Sequence, residues 1–271
     1  MPASRCTGTA AASTAYIPAP DAEAGDAGMP AAPLRARLSK LWRSVRDPRG
    51  RDELLWNRLP RPFGVFQVSG NTAENRFPAL FGFVRDKLVD HPSLRLLSFG
   101  CSTGEEVFSL RRYFPTAAID GIDINPYRIR TCRRRLSERG GDAAVRFVIA
   151  GSAERLLDES YDAIFCLSVL RHGGLSDGRA ARCDHLIEFA AVERVVEDFA
   201  RSLKPGGLLA IANSNFRFSD MAVSASFDVV MQTEHTGPRP RTPLYGPDNR
   251  LLIGAAYREV IFRKHTQTGS R

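Results

Sequence analysis

From Leu94 onward, short runs of apolar residues alternate with stretches whose apolar positions recur every three or four residues. The runs Leu94–Phe99, Ala118–Ile124, Val145–Ala150, Ala163–Leu167 and Leu208–Asn213 read as strands. Glu105–Tyr113, Pro126–Glu138, Ala153–Leu157 and Ile187–Leu203 read as helices between them. Near-continuous apolar strands alternating with amphipathic helices specify an α/β domain, a mostly parallel sheet with helices on both faces. Helix Ile187–Leu203 runs into Lys204-Pro205-Gly206-Gly207, a positive last turn followed by residues that stop a helix. Farther on, Phe227–Gln232 and Glu259–Arg263 read as two final strands, joined by a segment, Thr233–Tyr257, that is long for a hairpin. No internal repeat is visible.

Upstream, Asn71–Val89 places Phe77, Leu80, Phe81, Val84 and Leu88 on one helical face, with Pro78 early enough for a first turn. Pro60–Gly70 is a turn-rich connector. Leu34, Leu38, Leu41, Trp42 and Val45 recur at helical spacing, so Leu34–Val45 reads as a basic amphipathic helix. The first 33 residues, rich in Ala, Ser, Pro and Gly, read as disordered. The expected division is a tail over 1–33, a helical extension over 34–90, the main domain over 91–265 and a short tail over 266–271.

Composition narrows the class. A chain of 271 residues with 43% hydrophobic positions suits one large domain or two small ones with a full core. No apolar run approaches membrane-spanning length, and no apolar block with a cleavage site marks a secretory signal. The acids Asp21, Glu23 and Asp26 and a single Arg in the tail give only weak support to a mitochondrial presequence. Cys6, Cys101, Cys132, Cys166 and Cys183 form no C-x-x-C pair, so neither a metal site nor a disulfide framework is expected, and cytoplasmic is the default compartment.

The net charge of +8 is uneven: Leu34–Pro62 holds nine Arg/Lys against three Asp/Glu. Such a helix suits a membrane surface, RNA or an acidic substrate, or simply packs its apolar stripe on the domain. A second cluster, Arg128, Arg130, Arg133, Arg134, Arg135 and Arg139, falls on the helix after Asp123 and is expected to form a solvated face.

The segment with most chemical content is LRLLSFGCSTGEEVFSL, Leu94–Leu110. An apolar strand enters a turn carrying Gly100 and Gly104, and a helix begins at Glu105 and Glu106. Glycine lets the backbone turn sharply and approach a ligand closely, and the helix N-terminus offers free N–H groups beside it. The next strand ends at Asp123, where a carboxylate can grip both hydroxyls of a ribose. Strand, glycine turn, helix, strand and acid lay out a nucleoside-cofactor site. The spacing Ser98-x-Gly100-x-Ser102-x-Gly104 is not G-x-G-x-x-G, and no Gly-Lys-Ser/Thr follows, which excludes a phosphate-binding P-loop.

The alternating small residues of SFGCSTGEEVFSL resemble motif I of class I S-adenosylmethionine (SAM) methyltransferases, most closely the loop of the chemotaxis-receptor glutamate methyltransferases. LKPGG before an apolar strand is similar to the step before strand five in that fold, and the last two strands to its closing hairpin. The resemblance implies a Rossmann-like, seven-stranded, mostly parallel sheet with an antiparallel last strand, an N-terminal helical extension that helps cover the site, and SAM as cofactor. It places the backbone of Phe99, Gly100, Cys101, Ser102 and Gly104 on the methionine and ribose portions, Asp123 on the ribose and Ile124 beside the adenine. Ser152 and Ala153 occupy the slot that reads the adenine amino group, Cys166 and Leu167 face the cofactor, and Glu105 suits the methionine ammonium or the dipole of its own helix.

YDAIFCLSVLRHGG resembles motif IV and carries His172, a candidate general base that equally suits capping the loop. The Asn/Asp-Pro-Pro-aromatic motif of base N-methylation is absent, Cys166 follows Phe165 rather than Pro, and no acids stand ready for a metal. The chemotaxis family's Arg-Asn-Val-type segment is replaced by Cys166-Leu167-Ser168-Val169, and its receptor-docking subdomain has no counterpart. The expected reaction is methyl transfer to an oxygen or nitrogen of a small molecule or carboxylate, the positive balance being compatible with an anionic acceptor. RNA or protein methylation, or non-catalytic SAM binding, are the alternatives.

Overall fold

The computed structural model describes residues 66–67, 70, 72–233 and 242–266. The expected basic helix over Leu34–Val45, the tail over 1–33, residues 267–271 and residues 234–241 of the long C-terminal segment lie outside the described residues.

Seven strands form one sheet: β1 Arg95–Phe99, β2 Ala118–Asp123, β3 Val145–Ile149, β4 Tyr161–Leu167, β5 Leu203–Ala212, β6 Phe227–Gln232 and β7 Glu259–Lys264. Their order across the sheet is β3-β2-β1-β4-β5-β7-β6. Strands β1 to β5 pair in parallel, and β7 runs antiparallel between β5 and β6. The helices are α1 Pro78–Lys87, α2 Glu105–Tyr113, α3 Pro126–Glu138 and α4 Phe189–Ser202.

Side chains alternate across a strand, so each strand feeds two cores. Leu97, Phe99, Ile164, Cys166, Leu209 and Ile211 face Val192, Val196 and Phe199 of α4. On the opposite face Leu96, Ile119, Phe165, Leu208 and Ala210 meet Leu80, Phe81 and Val84 of α1, with Val107 and Leu110 of α2 and Ile129 of α3. Burial on both sides is why these strands read as continuous apolar runs.

Three elements depart from the sequence expectation. Helix α1 starts at Pro78 rather than Asn71, because a residue preceding proline is pushed out of the helical region; Phe77 has φ −125° and ψ 57°. The expected helix Ala153–Leu157 does not form. Its carbonyls are taken instead by the Arg201 guanidinium, which donates to Leu156 O at 2.8 Å and Glu154 O at 2.9 Å. A segment of that length has little helical stability to set against those bonds. Helix α4 does stop just before Lys204-Pro205-Gly206-Gly207, at Ser202, but β5 starts at Leu203 rather than Leu208 and takes these four residues in as a bulge, pairing Tyr161 with Leu203 and then Ala163 with Leu208. Lys204 Nζ reaches Asp162 at 2.8 Å across the bulge.

The described part of the long C-terminal segment is anchored at Tyr245, which is fully buried and whose hydroxyl donates to Ala180 O at 3.0 Å. After β3 the chain crosses back to the other side of β1 to place β4, leaving the carboxyl ends of adjacent β1 and β4 at the switch point where doubly wound sheets open a crevice.

Candidate functional site

The turn after β1 is built on left-handed residues. Gly100 has φ +74°, Ser102 +52° and Gly104 +95°. At Gly100 an added Cβ would lie 2.4 Å from Val169 Cγ2, so both conformation and space require glycine there. The turn is stitched to β2: the Gly100 and Cys101 N–H groups donate to Ile122 O at 2.8 and 2.9 Å, and Ser102 N–H donates to Asp123 Oδ2 at 2.9 Å.

Asp123 accepts at its other oxygen from Asn125 N–H, 2.8 Å away. Burial pushes its carboxyl above the ordinary range, opposed by the nearby Arg128 charge and by the two backbone donors. Asn125 in turn caps α3, its side-chain oxygen accepting from Tyr127 N–H at 2.9 Å. One carboxylate thus holds the glycine turn on one side and the start of α3 on the other.

The two glutamates opening α2 divide their roles. Glu105 accepts from Thr103 Oγ1 at 2.7 Å and from the Arg135 guanidinium. Arg135 also reaches Thr103 O at 2.6 Å. Glu106 accepts instead from Ser98 Oγ at 2.7 Å, and burial pushes its carboxyl up to about 7, against the pull of Ser98 and of the Arg76 charge. The arginine cluster of α3 is therefore not simply a solvated face. Arg135 and Arg139 pair with Glu74, Arg139 lies 4.1 Å from the Phe108 ring centroid, and Arg133 donates to Phe147 O at 2.7 Å.

A cavity of about 470 Å³ opens at the carboxyl ends of β1, β2 and β4, within the range of small-molecule sites. Of the residues expected from sequence, Gly100, Cys101, Ser102, Glu105, Asp123 and Leu167 line it. The others stand behind or beside the wall. Phe99 packs on Phe199 with centroids 4.9 Å apart, Gly104 sits under Phe108, and Ile124 packs over Gly151. Ala153 is buried in the core, Ser152 is exposed on the following turn, and burial drives the Cys166 thiol well above its ordinary value. His172 also stands off the wall: its Nδ1 accepts from Gly174 N–H at 3.1 Å, capping the short turn Gly173–Leu175.

The opposite wall comes from the extension that was expected to help cover the site, although none of its residues was named as a site residue. Phe66, Gln67, Gly70, Thr72, Ala73, Arg76 and Phe77 precede α1, and Phe81 lies on it. Ser102 Oγ donates to Gly70 O at 3.2 Å, and an added Cβ at Gly70 would lie 2.6 Å from an Arg128 nitrogen. Gly70 therefore sits against the glycine turn and the start of α3. Thr103, Glu106, Arg128, Ser168, Val169 and Arg171 complete the lining. The pairing of Arg76 with an aromatic and a helix-starting proline was the available signal for the first wall.

A carboxylate beside a glycine turn suits the hydroxyls of a ribose, and a second acid of the lining, Glu106, suits an ammonium. The residues present thus fit an aminoacyl nucleoside. Among the described residues no group of three His, Cys, Asp or Glu side chains could hold a metal ion, and no helix is long and apolar enough to cross a membrane.

Residues 97–209 match the family model described as a methyltransferase domain. The chain is 35% identical over 78 residues to malonyl-[acyl-carrier protein] O-methyltransferase of Anoxybacillus flavithermus, covering 29% of each. It is 29% identical over 122 residues to ribosomal RNA small subunit methyltransferase C of Hahella chejuensis, covering 45% of this chain and 32% of that one. An uncharacterized methyltransferase of Emericella nidulans is 24% identical over 203 residues, covering 74% and 64%. The chain thus spans between about a third and two thirds of the length of these relatives.

Proposed function

We propose that this chain is a SAM-dependent class I methyltransferase that methylates an oxygen or nitrogen of a small-molecule or carboxylate acceptor. The observation that carries the reading is Asp123, placed on the cavity wall at the end of β2 and tied to the glycine turn at 2.9 Å. The match of residues 97–209 to a methyltransferase domain supports it.

When bound, SAM supplies a methyl group activated by its sulfonium, and the protein's task is binding, orientation and electrostatics. Asp123 receives the ribose hydroxyls with lone pairs not used by Ser102 and Asn125. Glu106, rather than Glu105, receives the methionine ammonium, because Glu105 is held by Arg135 and Thr103. Arg76, which bears on Glu106, lies at the same end for the methionine carboxylate. Gly70 and the aromatics Phe66, Phe77 and Phe81 keep water from the reacting centre, and holding acceptor and methyl in line supplies much of the rate.

RNA or protein methylation is the second reading, favoured by the relative whose name is a ribosomal RNA methyltransferase. Against it, Arg133, Arg135 and Arg139 of α3 are engaged within the fold. Incubating the full chain with methyl-labelled SAM and separated RNA, protein and small-molecule fractions tests the choice. Label in the small-molecule fraction is expected. Label confined to RNA or protein would replace the reading by the second, and no transfer to any fraction would contradict both.

A further inference from the structure

Two of the cysteines meet beneath the glycine turn. Cys101 belongs to the turn and to the cavity wall, and Cys132 stands behind it in the middle of α3. Their thiols converge on one carbonyl. Cys132 Sγ donates to Ser102 O at 3.1 Å, and Cys101 Sγ approaches the same oxygen at 3.9 Å. Both cysteines are buried and neither is in a disulfide. Gly104 leaves the room that the second sulfur occupies, since an added Cβ there would lie 3.3 Å from Cys132 Sγ. The residue whose carbonyl the thiols share is also the one whose N–H donates to Asp123 Oδ2 at 2.9 Å. The thiol pair and the carboxylate thus hold Ser102 from its two sides.

The two sulfurs differ in access. A small oxidant entering the cavity of about 470 Å³ meets Cys101 first, because Cys132 lies behind the wall. We propose that Cys101 and Cys132 form a redox modification site, at which a peroxide converts the two thiols into a disulfide that disables the donor cavity. Formation of the bond is independent of the methyltransferase reading, whereas its consequence for the donor rests on that reading. The Cys101 sulfur attacks one peroxide oxygen, the O–O bond breaks, and Cys101 becomes a sulfenic acid with release of water. The Cys132 sulfur then displaces the sulfenic hydroxyl as a second water, and the S–S bond closes. The two sulfurs together give up two electrons, the peroxide takes them, and both thiol protons leave in the waters.

Closure alters the turn. A disulfide brings the two Cβ atoms to about 3.5–4.5 Å from each other. It also removes the hydrogen from Cys132 Sγ, so Ser102 O loses that donor. Cys132 is held inside the 13-residue helix α3, so the turn is the partner that gives way, and the seat of Asp123 shifts with it. Burial pushes the Cys101 thiol well above its ordinary value, with Cys132, Asp123 and Glu106 adding to the effect. The thiolate is the attacking form, so oxidation is expected to be slow near neutrality and to quicken as pH rises.

The test uses the full chain, wild type beside Cys132→Ser, each fully reduced at the start. Hydrogen peroxide is added, remaining thiols are blocked with iodoacetamide, and the unreduced digest is read by mass spectrometry. A peptide pair linked through Cys101 and Cys132 is expected in the wild type. Its formation is expected to be slowed about tenfold or more when S-adenosylhomocysteine first saturates the protein. Oxidised wild type is expected to bind that ligand about tenfold or more weakly than the reduced protein, and dithiothreitol is expected to restore the affinity. Reduced Cys132→Ser is expected to bind it within about threefold of the wild type, the hydroxyl keeping the bond to Ser102 O. After peroxide the variant is expected to show no loss that dithiothreitol reverses.

Absence of the link in peroxide-treated wild type would overturn the inference, and so would a linked protein with undiminished affinity. A reversible loss that persists in Cys132→Ser would do the same. Should that variant fail to fold, the wild type alone decides, through the link, its protection by ligand and its reversal. Absence of S-adenosylhomocysteine binding by the reduced wild type would overturn the methyltransferase reading and the effect on the donor, while the link, read by mass, would still decide the modification.

Discussion

The backbone N–H of Ser102 donates to Asp123 Oδ2 at 2.9 Å, joining the turn after β1 to the tip of β2. The bond makes the acid proposed to hold the ribose part of the loop's own scaffold. On that reading ligand and loop share one carboxylate. Replacing Asp123→Ala leaves the Ser102 and Asn125 N–H groups without their acceptor, at a cost of about 1–3 kcal/mol for a buried unsatisfied donor. Thermal unfolding is expected to show that loss, and the variant is expected to bind the donor nucleoside more weakly than the wild type. A variant with unchanged stability would remove the scaffold role from this carboxylate.

At Gly100 conformation and space act together. Gly100→Ala places a methyl group in a left-handed backbone with φ +74°, against Val169 at 2.4 Å. We expect a loss of about 1–3 kcal/mol from strain alone. Adding Val169→Ala is expected to return only part of it, because the second substitution relieves the clash and leaves the backbone strain. Full recovery in the double variant would show that space, not conformation, demands glycine.

The neighbouring glutamates separate stability from binding. Glu105→Ala removes the partner of Arg135 and Thr103, and is expected to lower the melting temperature while donor affinity stays within about threefold. Glu106→Ala is expected to do the reverse to affinity. Identical profiles for the two variants, measured by calorimetry and thermal unfolding, would contradict the division of roles.

Glu106 also predicts a pH dependence. Its folded carboxyl titrates near 7 against an ordinary 4.5, so between those values the folded state holds a proton that the unfolded chain has released. This contribution to stability is fully present below pH 4.5 and is lost as pH rises through 7. Binding of an ammonium requires the ionised form, so donor affinity is expected to increase as pH rises through that same window. Glu106→Gln is expected to flatten both profiles. A donor affinity that falls with rising pH in the wild type would contradict the assignment.

Much of the frame was legible before any coordinates, because strands buried on both faces and helices buried on one leave different periodicities. Helices α2 and α3 begin and end where the apolar spacing put them, at Glu105–Tyr113 and Pro126–Glu138. The misreadings came from long-range partners that no local pattern carries. Arg201 claims the carbonyls of the stretch read as a helix at Ala153–Leu157. Lys204 answers Asp162 on the neighbouring strand, so the residues that stop α4 also open β5 as a bulge instead of forming a separate connection.

The candidate site divides in the same way. Gly100, Ser102 and Asp123 belong to one supersecondary unit, and their juxtaposition follows from motif spacing. Arg76, Arg128, Val169 and Arg171 reach the cavity from three separate places in the chain, and only the fold brings them together. Arg128 was read with a solvated arginine face because α3 alone offers no sign of Gly70 crossing over it. Glu105 drew attention by opening α2, yet it is the residue after it that Ser98 and Arg76 surround.

The most direct measurement is calorimetric titration of S-adenosylhomocysteine into the full chain, wild type beside Asp123→Ala. The predicted result is saturable one-to-one binding to the wild type and a loss of about tenfold or more in the variant. No binding to the wild type, or equal affinity in the two proteins, would contradict the assignment of this cavity to an adenosyl methyl donor.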